Sequence, residues 1–209
     1  MYTAVAATGA LARRRGKAAA ARRGAVFVLA ALLVSAPCLG RAAAGTETPG
    51  PAISFAEDGG LVVQGSAVVP RYAADGRWVE VEGKSSPRWA TRHFLFTGPD
   101  GPPAMELYVS QNLAGERPDG TFEIGLIGGF LSGFGAKSGF RHRDPVFEDA
   151  SLGSTRVKRC RAELSRGDRT LWLYAYVFVR QPSLTFLTLR PRSDASDRIE
   201  EYLGSVRPR

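Results

Sequence analysis

The stretch Leu171-Trp-Leu-Tyr-Ala-Tyr-Val-Phe-Val179 is apolar or aromatic at every position. Alternation puts Leu171, Leu173, Ala175, Val177 and Val179 on one face of a strand and Trp172, Tyr174, Tyr176 and Phe178 on the other. A strand that is apolar on both faces belongs at the centre of a sheet covered on both sides. On its flanks Arg166-Gly-Asp-Arg169 and Arg180-Gln-Pro-Ser183 are turn sequences, so strands over 155–165, 170–180 and 183–190 form an antiparallel meander. The aromatic row is read as core beneath a helix rather than as a platform for a ligand.

Further upstream, short apolar or alternating runs at 61–63, 67–69, 78–81, 89–96 and 105–110 read as strands, and another follows at 146–152. Gly98-Pro-Asp-Gly-Pro-Pro103 is the turn of a hairpin. The period changes between Thr121 and Lys137, where Ile124, Ile127, Leu131 and Phe134 recur at helical spacing, with Asp119 or Thr121 as the cap. Gly125, Gly128, Gly129, Gly133 and Gly135 each cost up to about 1 kcal/mol against Ala in such a helix. Packing must therefore hold it, with glycines allowing close backbone approach, or the segment is partly loop. A terminal helix over 197–203, capped by Ser196 or Asp194, carries Ile199 and Leu203 one turn apart and ends at Gly204. The expected class is α+β, an antiparallel β-sheet covered by helices.

Charge is distributed unevenly. Residues 1–44 hold seven of the 28 basic side chains and none of the 20 acids, leaving 21 against 20 in the remainder. A near-neutral body does not attract nucleic acid through bulk charge. At the front, Arg13 to Lys17 and Arg22-Arg23 precede an uncharged run from Gly24 to Gly40, and Ala42-Ala43-Ala44 follows. Basic, apolar, then small is the order of a secretory signal, cleaved between Ala44 and Gly45 with Ala42 and Ala44 at the recognition positions. The boundaries are thus 1–44 signal peptide, 45–52 flexible leader and 53–209 a single domain. Export points to the periplasm or the extracellular space, the alternative being an inner-membrane signal anchor. Arg22-Arg23 leaves twin-arginine export open beside the general secretory route.

Removal of Cys38 with the signal leaves Cys160 as the lone thiol, so no internal disulfide forms. Alternation puts Cys160 with Ala162 and Leu164 on an apolar face, the place of a buried, inert cysteine. His93 and His142 stand at no ligand spacing from another His, Cys or carboxylate, so no metal site, cofactor or catalytic set is expected from the local sequence. His93 is read as half-exposed on its strand, and His142 as part of a solvated basic loop. Gly133-Phe-Gly-Ala-Lys-Ser-Gly139 lacks the glycine spacing of a phosphate loop. Lys158, Arg159 and Arg161 lie in the one dense basic cluster of the body, where contact with an anionic membrane surface or an acidic partner is weighed against a solvated sheet edge.

The second half resembles a known family. A Gly-bearing helix ends in Gly139-Phe140, a strand follows at 146–152, and then Gly153-Ser-Thr-Arg-Val-Lys-Arg-Cys-Arg-Ala162 opens the next strand. The long apolar strand, one more strand, and an acidic helix finishing Gly204-Ser-Val-Arg207 complete the series. Over roughly residues 75–207 this order is similar to the PsbP-like proteins, extrinsic lumenal subunits associated with photosystem II with relatives among bacterial exported proteins. The resemblance implies an α/β/α sandwich and no particular activity. The expected function is an exported envelope protein acting as a non-enzymatic binding or accessory module, with another envelope protein or an anionic membrane surface as partner. The alternatives are a periplasmic hydrolase using Cys160 or a serine with His93, and a membrane-surface lipid-binding protein.

Overall fold

The computed structural model describes residues 50–99, 104–191 and 197–209. Twelve strands and two helices are found among them, in the order β1 (Ile53–Phe55), β2 (Leu61–Val63), β3 (Ala67–Val69), β4 (Arg77–Ser85), β5 (Trp89–Thr97), β6 (Met105–Asn112), α1 (Thr121–Ser138), β7 (Arg141–His142), β8 (Val146–Leu152), β9 (Thr155–Arg166), β10 (Arg169–Phe178), β11 (Ser183–Pro191), α2 (Asp197–Gly204) and β12 (Arg207–Pro208). The class is α+β, dominated by antiparallel strands.

The large sheet runs β4-β5-β6-β11-β10-β9, with β7 and β8 both paired to the outer side of β9. β10 is central as its sequence requires, bonded to β11 on one side and β9 on the other. Gly167-Asp168 turns β9 into β10, with Arg166 opposite Arg169 and Gly167 at φ 61°, a left-handed conformation that glycine adopts without steric cost. β4 forms an edge broken by a bulge between Val81 and Lys84. A Cβ on Gly83 would collide with the Thr91 carbonyl of the neighbouring strand, so the bulge depends on that glycine.

The faces of β10 lie in separate cores. Leu173, Ala175 and Val177 are buried with Ile127 and Leu131 of α1 and with Cys160, Ala162 and Leu164 of β9. Tyr174, Tyr176 and Phe178 are buried on the other face, with Ile199 and Leu203 of α2 and with β2 and β3. The aromatic row is therefore core, each such side chain contributing about 1.5–3 kcal/mol by burial. One layer was not expected: β1, β2, β3 and β12 make a second, four-stranded sheet, in which the strands at 61–63 and 67–69 pair with each other rather than with the large sheet. The end of the leader is also held in place, since Arg92 Nη1 donates to the Pro51 carbonyl at 3.3 Å and Gln64 N to the Ala52 carbonyl at 3.0 Å.

α1 is a continuous helix, with no loop at its glycines. Its cap is Gly120 rather than Asp119 or Thr121, although Asp119 Oδ1 accepts from the Thr121 N–H at 2.8 Å. The buried stripe is Glu123, Ile127 and Leu131, so the helix is rotated from the expected face and Ile124 is exposed. At the far end Gly139 takes φ 73° and donates its N–H to Gly135 O at 2.9 Å. The proposed caps of α2, Ser196 and Asp194, lie outside the described residues.

Candidate functional site

A polar cluster lies inside the molecule, on the face of the large sheet that shares its core with α1. Alternation along β5 puts Thr91, His93 and Leu95 on this face, and along β6 it puts Glu106, Tyr108 and Ser110 there. The antiparallel register sets His93 opposite Tyr108, and Tyr108 opposite Thr185 on β11. Glu106 is diagonal to both. His93 Nε2 lies 2.9 Å from Glu106 Oε2, and the Tyr108 hydroxyl donates to the same oxygen at 2.8 Å. The imidazole also stacks on the phenol ring, with centroids 4.1 Å apart. His93 is thus buried, not half-exposed: burial of this sheet face outweighs the preference of its imidazole for water.

The Tyr108 hydroxyl and His93 Nε2 converge on one oxygen of Glu106, while Oε1 is buried without a hydrogen-bond partner. Neither carboxylate oxygen of Glu123 on α1 has a partner, nor does Thr185 Oγ1. Burial, reinforced by the neighbouring Glu106 charge, pushes Tyr108 well above the ordinary tyrosine range, so its hydroxyl stays a donor. With side-chain exposures of 6% and 3%, His93 and Glu106 are closed to a substrate in this conformation. Among the described residues no group of three His, Cys, Asp or Glu side chains is placed to hold a metal ion.

Cys160 is not part of this cluster. It sits on β9, four strands from β5 and hence about 19 Å across the sheet from His93. Its thiol is fully buried and is pushed up to about 12 by desolvation. His142 is exposed on β7, which replaces part of the expected loop, and its Nδ1 is 3.3 Å from the Arg143 carbonyl.

The basic cluster divides between two faces. Lys158 is paired with Asp149 at 3.3 Å. Arg159 points to the opposite face and bridges Glu148 at 2.8 Å and Glu200 of α2 at 2.7 Å, where the Tyr176 hydroxyl also donates to Glu200 at 2.9 Å. Two of the three residues considered for an anionic surface thus already have acidic partners, which leaves Arg161 exposed beside them. The proposed cleavage residues Ala42, Ala44 and Gly45 lie outside the described residues.

A shallow, open depression of about 620 Å³ lies where the ends of β6 and β11 meet the β2–β3 turn. Gln64, Gln111, Asn112 and Gln181 line it, with no titratable side chain among its described lining residues. The Gln181 amide is fixed there, donating to Asn112 O at 2.6 Å and accepting from Asn112 N at 3.3 Å.

Sequence reasoning missed Glu106, Tyr108, Glu123 and Thr185. The alternation Met105-Glu-Leu-Tyr-Val-Ser110 does show one polar face, but a polar strand face ordinarily signals exposure. The burial of that face in the folded protein reverses the reading.

No family model and no curated protein matches this chain. A crystal structure of a Bacteroides thetaiotaomicron protein is similar at TM-score 0.39 and 12% identity, covering 77% of this chain and 48% of that one. The chain thus spans about half the length of that protein, and similarity at this level carries no argument about fold or activity. Nothing in these comparisons places the chain with the PsbP-like proteins.

Proposed function

We propose that this protein is an exported envelope protein acting as a non-enzymatic binding or accessory module, in a layered α/β/α arrangement like that of the PsbP-like group. One observation carries the reading: Cys160 and His93, the residues considered for catalysis, are interior, while the depression on the outer surface presents neutral amides. Cys160 is fully buried, and His93 is committed to Glu106. The depression offers carboxamides that both donate and accept hydrogen bonds, which suits recognition more than bond breaking. Another envelope protein is the favoured partner over an anionic membrane, because Lys158 and Arg159 are internally neutralised. The hydrolase alternative is disfavoured in its Cys160 form by the separation of that thiol from His93, and in its serine form by the burial of His93 against Glu106. The test is labelling of native protein with iodoacetamide and with a fluorophosphonate. Labelling of Cys160 only after denaturation, with no serine modified, is the expected result; rapid native labelling at either residue type overturns the reading.

A further inference from the structure

We propose that the carboxamide-lined depression is a docking site for an uncharged, extended peptide segment of a partner protein, held by its main chain through Gln64 and Gln111. This rests on the binding-module reading above and names what the module binds.

The lining decides the chemistry. Gln64 comes from the β2–β3 turn, Gln111 from the end of β6, and Gln181 from the chain just ahead of β11. No lining residue that the structure describes is aromatic or titratable. A flat ring therefore has nothing to stack on, and a charged ligand meets no opposite charge. The charges next to lining residues along the chain are committed elsewhere: Glu116 pairs with Arg88 at 2.7 Å, and Arg180 donates to the Ser66 carbonyl at 3.2 Å.

What remains is neutral amide, and each carboxamide offers two donor hydrogens and an acceptor oxygen. Gln181 shows the pairing such a group makes. Asn112 lies two residues beyond Ser110, the partner of Ser183 at the start of β11. There the Gln181 side chain takes the place of a strand, donating to Asn112 O at 2.6 Å and accepting from Asn112 N at 3.3 Å. One carboxamide thus satisfies both main-chain groups of one residue. Gln64 and Gln111 line the same depression and reach solvent, and neither carboxamide has a hydrogen-bond partner among the described residues. Two such groups fit the N–H and C=O groups of an extended chain, the part of a peptide that gives affinity whatever its side chains.

Shape selects a segment of a macromolecule over a small molecule. Small-molecule sites enclose most of their ligand, whereas this depression is shallow and open. Gly65 and Gly115, at φ 72° and 73°, are exposed lining residues without side chains, so a main chain can approach closely there.

The test is an NMR titration of the purified protein with acetyl-trialanine methylamide, an uncharged peptide main chain, at millimolar concentration. Acetyl-trisarcosine dimethylamide, which has no N–H donor, and maltose, which offers hydroxyls alone, are the controls. The trialanine probe should shift the side-chain amide signals of Gln64 and Gln111 and the backbone signals of Gly65 and Gly115 saturably, and neither control should. Gln64→Leu and Gln111→Leu should each weaken binding several-fold and together about tenfold or more, the loss of one or two hydrogen bonds. Both positions reach solvent, so an unchanged thermal transition should show that the variants fold. No saturable shift, an equal response to the sarcosine probe, or undiminished binding in the double variant overturns the peptide site. A response to maltose alone assigns the depression to a glycan and also overturns it. Any of these results with Cys160 protected and no serine modified leaves the non-enzymatic reading standing, whereas native labelling overturns that reading whatever the titration shows.

Discussion

Replacing Glu123 with leucine should stabilise this protein, although it removes a charge from a position where helices ordinarily favour acids. In the first turn of α1 the carboxylate gains about 0.3–1 kcal/mol from the helix dipole. Against that, its oxygens are buried with no partner, and an unsatisfied buried polar group costs about 1–3 kcal/mol, more when ionised. The methylenes of Glu123 are already buried, so leucine adds only the apolar remainder, at the lower end of about 1.5–3 kcal/mol for a whole side chain. The penalty relieved exceeds the dipole term lost, and Glu123→Leu should gain about 2 kcal/mol. For a protein of this size that raises Tm by about 4–8 °C. Urea and thermal unfolding followed by circular dichroism measure it, with Glu123→Gln expected between the two. A loss exceeding about 1 kcal/mol in Glu123→Leu would refute the assignment, because it would mean that the carboxylate is satisfied in the folded protein.

Three further outcomes follow from particular contacts. Cys160, held at about 12 against an ordinary value of 9.0, ionises in the unfolded chain first, so stability should be unaffected by this thiol below pH 9.0 and decline as pH rises toward 12; Cys160→Ala should flatten that part of a Tm–pH curve, and an unchanged slope would contradict it. Gly83→Ala should destabilise by about 1–3 kcal/mol in urea unfolding, since the added methyl meets backbone rather than a side chain that can turn away. Arg159→Ala breaks contacts with Glu148 and Glu200 that are partly solvated, so the cost should be near 1 kcal/mol. Flotation with anionic liposomes should be the same in that variant and the parent, and a drop confined to the variant would restore the membrane-contact reading.

The long strands and both helices were legible because their patterns are long. β10 declares itself by nine consecutive apolar positions, and the meander about it by turn sequences, since β10 pairs antiparallel with both β9 and β11. What escaped was short or dependent on partners. β7 and β12 are two residues each, too brief for alternation to show. The division into two sheets was hidden because β2 and β3 carry the same apolar signal whichever sheet they join. On α1 the apolar residues surround the axis, so spacing alone chose Ile124 for the core where the structure buries Glu123. The polar cluster failed to appear for the related reason that its members are spread over β5, β6 and β11 and meet only in space. Arg159 looked like free surface charge because Glu200, its partner on α2, is 41 residues away.

The central claim is that this domain works outside the cytoplasm after losing its basic, apolar front. N-terminal sequencing of the protein recovered from fractionated cells tests it most directly. A chain beginning at Gly45 in the periplasmic or secreted fraction is expected; an intact Met1 on soluble protein in the cytosol would contradict it.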